Sequence, residues 1–216
     1  DAVVAVSRSV AEAVSGSRPT VVYAGVTVPP PAAPGTRADS PPVIGAAGRL
    51  TEGKGYADLI RALALLPARV RLEIAGDGPA RDSLARIASD LGVADRVTLL
   101  GWVPDMSPLF ARWTLFAHPS REEGFSTAIL EAMAAGLAVV ATPVGGVAEA
   151  IVDGESGLLV PHGQPAELAS AIGRALAAPA LLASLGGNAR ERVTRHFSVQ
   201  HQVDAMGQVY QSLLRA

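Results

Sequence analysis

Cysteine is absent from the 216 residues, which excludes a disulfide scaffold and any thiolate metal site and agrees with a cytoplasmic setting. Aromatic residues make up only 4% although hydrophobic residues make up 49%, so the core must be built from Ala, Val and Leu. No excess of one charge sign exists: the formal net charge is -2, and nothing resembles the electrostatic footprint of a nucleic-acid binder. Apolar runs of membrane-spanning length are also lacking, since the uncharged stretch 132–148 is broken by Gly136, Pro143, Gly145 and Gly146. There is no Asp-x-Asp pair to clamp a divalent ion on a diphosphate, and no His/Asp/Glu cluster at ligand spacing. His118, His162, His196 and His201 are scattered, and His118 reads as structural. No metal and no cofactor are expected. The chain opens at Asp1 without a Met or a signal peptide, which reads as a cut edge.

What is present from Val43 onward is alternation. Apolar runs stand at 43–47, 70–75, 97–100, 114–117, 138–141 and 158–160, as strands covered on both faces require. Helical spacing fits 56–66, 80–91, 126–135, 166–177 and 200–214, with shorter turns at 106–111 and 147–151; no element is assigned between 178 and 199. The fold class is therefore α/β, a doubly wound parallel sheet of Rossmann-like kind, with ligands beyond the carboxyl ends of the strands. Upstream lie a short strand over 2–6, a helix over 8–14 capped by Ser7, and a strand over 20–23. The stretch 27–42, with Pro29, Pro30, Pro31, Pro34, Pro41 and Pro42, reads as a linker, leaving 1–26 as a fragment and 43–216 as the domain.

The segment 119–142 is the centre of the functional reading. A polar loop with Arg121, Glu122 and Glu123 leads through Gly124 to a helix starting near Ser126 or Thr127 and stopping at Gly136. Such a helix mouth offers free amides and the positive end of a dipole to an anion. Glu123 lies in the loop, and Glu131 shares a helix face with Thr127 and leans toward the mouth. A ligand that is anionic and rich in hydroxyls, such as a sugar nucleotide, suits that combination.

Three glycine-rich stretches compete for phosphate. Gly48-Arg49-Leu50-Thr51-Glu52-Gly53-Lys54-Gly55 nearly fits a P-loop, but Gly55 stands where a hydroxyl must reach a metal; Arg49 and Lys54 remain as a cationic turn for a pyrophosphate. Gly76-Asp77-Gly78-Pro79-Ala80-Arg81 carries Arg81 in place of a dinucleotide fingerprint's third small residue, so it reads as a turn with Pro79 at the first helical position. Gly145-Gly146 fits a ligand-facing amide pair and a plain turn equally. Glu149 and Asp153 read as residues that tie down turns.

Glu123-Gly124-Phe125-Ser126 followed by Glu131-Ala132-Met133-Ala134 resembles the E-x7-E signature of the retaining GT-B glycosyltransferases of family 4. Gly48-Arg49-Leu50, Lys54-Gly55 and Asp58-Leu59-Ile60 resemble that family's diphosphate loop and following helix. Gly76-Asp77-Gly78-Pro79, Gly101-Trp102-Val103, Pro119-Ser120, the stretch 136–142 and Gly157-Leu158-Leu159-Val160 match further landmarks in order. Ala138 departs from a common Pro, and Gly53 from a common charged residue. The resemblance covers Val43 to the C-terminus as the C-terminal, donor-binding half of a GT-B architecture. It makes 1–26 the remnant of an N-terminal acceptor domain, together with the junction between the two domains.

The resemblance implies a metal-independent enzyme moving a hexose, with retention, from a nucleoside-diphosphate sugar to a glycan or lipid acceptor, as in polysaccharide biosynthesis. UDP is favoured over GDP or ADP by the Phe125-Ser126 variant of the motif. Arg49 and Lys54 would neutralise the diphosphate, with Gly48 in the same turn. Glu131 would take the ribose hydroxyls and Glu123 the sugar hydroxyls. The amides of Gly124, Phe125 and Ser126, beside Thr127, would meet sugar or phosphate, and backbone at Trp102 and Val103 the base. The implied partners are the nucleotide sugar, the missing acceptor domain, the inner membrane face for the parent enzyme, and a second copy through the exposed face of the final helix. A non-catalytic nucleotide-sugar module, or an epimerase or phosphorylase half, are the alternatives on the same scaffold.

Overall fold

The computed structural model describes residues 2–16, 18–30 and 41–215; most of the expected linker lies outside the described residues. The chain starts with β1 (Val4–Ala5), α1 (Arg8–Ala13) and β2 (Thr20–Val21). Then come β3 (Val43–Ala47), α2 (Tyr56–Ala64), β4 (Arg71–Ala75), α3 (Arg81–Asp90) and β5 (Val97–Gly101). Next are α4 (Ser107–Arg112), β6 (Leu115–His118), α5 (Thr127–Ala134), β7 (Val139–Ala141), α6 (Val147–Ala150) and β8 (Leu158–Leu159). Three helices close the chain: α7 (Pro165–Ala177), α8 (Pro179–His196) and α9 (Val199–Leu214).

The main sheet has the order β5-β4-β3-β6-β7-β8, and every pairing in it is parallel. Its central strands are short apolar runs because both faces are covered. Ile44, Ala46, Leu115, Ala117 and Val140 point into one layer with α2, α3 and α7. Ala47, Phe116, Val139 and Ala141 point into the other with α4, α5, α6 and much of α8. That period of two is what a pleated strand dictates, and with both phases apolar the sequence shows no alternation. Within α2, Tyr56, Leu59, Ile60 and Leu63 recur at helical spacing and are all buried.

Two expectations need correction. The interval 178–199 is almost entirely α8, the longest helix described. A Cβ on Gly186 would overlap the backbone carbonyl of Gly136, so the glycine lets α8 cross the end of α5 closely. Pro79 is not the first residue of α3: Ala80 is the N-cap and the helix begins at Arg81, because Ala80 N–H is taken by Leu50 O at 2.9 Å in a loop-to-loop bond.

The fragment before the sheet is docked on it. Ser7 caps α1 through Val10 N–H at 3.1 Å and donates its own hydroxyl to Gly124 O at 3.1 Å. Glu149 takes Arg8 N–H, Ser9 N–H and the Tyr23 hydroxyl at 3.0, 3.1 and 2.7 Å, so it ties this fragment to the domain rather than merely its own turn. Asp153 does hold a turn, accepting from Leu159 N–H at 2.8 Å. Tyr23, Phe125 and Phe197 form a three-ring cluster with centroids 5.2 to 5.6 Å apart.

Candidate functional site

The order in which strands are added to the sheet reverses between the parallel neighbours β3 and β6, and the loops that leave these two strands meet at their carboxyl ends. They dock on each other. Arg121 N–H donates to Gly53 O at 2.8 Å, and Arg121 pairs with buried Asp58 of α2 at 2.8 Å, which also holds Arg61 at 2.9 Å. Gly55 has φ 67°, and a Cβ there would strike the Pro119 carbonyl. This turn is therefore built for glycine, which explains why no hydroxyl side chain stands at that place.

Lys54 and Glu123 sit on these loops and form an ion pair of 2.5 Å. His118, at the end of β6 and 2% exposed, places Nε2 3.0 Å from the same Glu123 Oε2 and 3.0 Å from Ser120 Oγ. Burial alone would raise the Glu123 pKa, but hydrogen bonds from His118 and Lys54, with the Lys54 charge, outweigh it and hold the carboxyl at about 2. Burial pushes the His118 pKa below 6.5, and the Lys54 charge acts in the same direction against Glu123.

A cavity of about 460 Å³ opens beyond β3, β4 and β5, lined by Gly48, Arg49, Asp77, Trp102, Val103 and Met106 among others. Arg49 is exposed there and its side chain has no partner among the described residues. Trp102 is 76% exposed, presenting an open ring and backbone beside the cleft. On the other side of Met106 lies a second cavity of about 700 Å³, edged by Thr127 and Glu131 of α5 and by Asp105 and Ser107. Glu131 has no side-chain partner among the described residues, and desolvation by the surrounding wall raises its pKa. Ser126 caps α5 through Ile129 N–H at 3.4 Å. The amides of Gly124, Phe125 and Ser126 make no hydrogen bond within the described residues.

All the expected site residues thus gather at one end of the sheet, in two subsets: Gly48, Arg49, Trp102 and Val103 on the first cavity, Thr127 and Glu131 on the second. Lys54 and Glu123 stand between the two loops. Phe125 contributes only backbone, because its ring is committed to the cluster with Tyr23 and Phe197. Gly145-Gly146 resolves as a turn, with Gly146 N–H donating to Gly124 O at 2.9 Å. Sequence reasoning missed the hydrogen bond from His118 to Glu123; a His at a strand end five residues before a loop carboxylate was its only trace.

A six-stranded parallel sheet flanked by helices on both faces matches GT-B glycosyltransferase structures. Over 100% of its length the chain matches 63% of Anabaena HepE, solved in complex with UDP and glucose, at a TM-score of 0.89 and 29% identity. It matches 59% of sucrose-phosphate synthase from Thermosynechococcus elongatus at a TM-score of 0.90 and 29% identity. The profile of the family described as glycosyl transferases group 1 fits residues 41–178, and the chain belongs to that family. Among curated relatives, the lipopolysaccharide core biosynthesis mannosyltransferase LpcC of Rhizobium leguminosarum bv. viciae is 37% identical over 180 residues, covering 80% of this chain and 51% of that protein. The lipopolysaccharide core biosynthesis glycosyltransferase LpsE of Rhizobium meliloti is 38% identical over 177 residues, covering 82% and 52%. The chain spans about half the length of these relatives.

Proposed function

We propose that this chain is the donor-binding half of a retaining glycosyltransferase that takes a hexose from a nucleoside-diphosphate sugar, UDP ahead of GDP. The observation that carries this reading is the set of groups without partners among the described residues: the Arg49 guanidinium and the Glu131 carboxylate, each on one of the two cavities, and the amides at the mouth of α5. Each has the chemistry of one part of a sugar nucleotide. Arg49 and Lys54 face the diphosphate and, as the sugar leaves, its growing charge. Glu131 accepts from ribose hydroxyls, Glu123 from hydroxyls of the sugar, and backbone at Trp102 and Val103 meets the base. Charge neutralisation by the two cations makes a divalent ion unnecessary in this scheme.

The acceptor is assigned to a separate N-terminal domain, for which 1–26 supplies the last strand and helix. The chain by itself therefore binds the donor and does not turn it over. Calorimetric titration with UDP, GDP, ADP and their hexose conjugates, with and without a chelator, tests the reading. Binding of one diphosphate series that survives chelation is expected. Failure of every nucleotide to bind, or transfer by the chain alone at a rate ordinary for enzymes, would overturn it.

A further inference from the structure

His118 touches the candidate site without a role in the scheme above. Its Nε2 lies 3.0 Å from Glu123 Oε2, the oxygen that also receives Lys54 Nζ at 2.5 Å. An unprotonated Nε2 would aim a lone pair at a carboxylate oxygen at that distance. Nε2 therefore carries the hydrogen and donates it to Glu123, while the Ser120 hydroxyl, also at 3.0 Å, adjusts around it. The bond needs no positive charge on the ring, and burial disfavours one.

The two donors on that oxygen differ in freedom. Lys54 is on a loop, its side chain 25% exposed, and its flexible stem can follow an anion. His118 is part of the sheet: it pairs with Ala141, accepts Thr142 N–H at its carbonyl at 3.1 Å, and lies nearly parallel to the Phe116 ring at 6.3 Å. A diphosphate beside Arg49 competes with Glu123 for the Lys54 ammonium. If Lys54 left, a mostly buried carboxylate with no other donor would lose its orientation and bear the cost of an unpaired charge.

We propose that His118 is a positioning residue for the sugar-binding carboxylate: it keeps Glu123 aimed when the donor's diphosphate draws Lys54 away. This rests on the nucleotide-sugar reading of the site. Three variants separate positioning from packing. His118→Gln puts an amide N–H close to the place of Nε2, within reach of Glu123. His118→Asn holds the same amide one methylene short of it, and His118→Met fills the space with no donor at all.

Calorimetry on the full chain with UDP, UDP-glucose, GDP and GDP-mannose gives, for each variant, the ratio of the sugar nucleotide's Kd to that of the bare diphosphate. The Asn and Met variants are expected to raise this ratio about tenfold over wild type, with affinity for the bare diphosphate changed by less than about twofold; the Gln variant keeps the wild-type ratio. An unchanged ratio in a folded donor-less variant, or equal weakening of both ligands, overturns the proposal and leaves His118 a packing residue. Wild-type protein that binds none of the four ligands fails the site reading itself, a result distinct from either.

Discussion

Glu131 has no side-chain partner among the described residues, at the edge of the larger cavity, and its pKa is raised by desolvation, whereas Glu123, under two donors, is held at about 2. Hydroxyls that donate to Glu131 favour its ionised form, so nucleotide affinity is complete above its raised pKa and is lost as pH falls through it. Calorimetry from pH 7 downward checks this, and Glu131→Ala should weaken nucleotide binding by about 1–3 kcal/mol and flatten the acid limb. Stability depends on the other pair. Glu123 contributes above its ordinary 4.5 and loses that contribution as pH falls toward about 2; His118, neutral in the fold, contributes above 6.5 and loses it as pH falls below that value. Both act in one direction, so urea midpoints should fall continuously on acidification from pH 6.5. Tyr56 is a third case, 2% exposed with a hydroxyl that has no partner among the described residues. Tyr56→Phe removes an unmet polar group and should stabilise the free chain by about 1 kcal/mol, raising Tm by roughly 2–4 °C in a scan.

Neighbouring glycines in α8 show how an element can hide in its own sequence. Gly186 lies against the backbone of Gly136 and Ala138, while a Cβ on Gly187 would meet nothing within 4 Å. Intrinsic propensity favours Ala at both by about 1 kcal/mol. At Gly186 the obstacle is backbone and cannot yield, so overpacking of about 1–3 kcal/mol wins there. Gly186→Ala should therefore destabilise and Gly187→Ala stabilise, as urea titrations of the two variants would show. No element was assigned over 178–199 from local signals, and the reason for Gly186 is a contact fifty residues away in sequence. The strands were legible for the opposite reason: Val139-Val140-Ala141 and Leu115-Phe116-Ala117 are buried on both faces, and burial writes itself directly into residue type. The site was legible where spacing along one element fixes geometry, as from Thr127 to Glu131. It was not legible where two loops meet, as with Lys54, His118 and Glu123, or Arg121 and Asp58.

Among the described residues, exposed apolar side chains are most numerous on α9 and the amino-terminal fragment, with Leu65, Leu91, Trp102 and Val152 elsewhere. On α9, Val203 is 57%, Tyr210 63% and Leu213 44% exposed, and the amino-terminal fragment adds Val3, Val4 and Val6. α9 is held by its first turn, where Val199 N–H donates to Val26 O at 3.2 Å and Gln202 Oε1 accepts Gly25 N–H at 2.9 Å. Exposed apolar side chains grouped on one helix favour association in water. Sedimentation velocity should show the chain self-associating with concentration, and the paired change Val203→Glu and Leu213→Glu should shift it toward monomer without altering nucleotide affinity.

The Ser7 hydroxyl grips the carbonyl of Gly124, and the side chains of Val6 and Val10 approach the same glycine. A tilt of the small two-stranded sheet is thus transmitted to the mouth of α5 through a single polar tether with an apolar backing. Any load on that sheet would be felt at the amides that open α5, so the set of the helix mouth and the angle of the lever are mechanically linked.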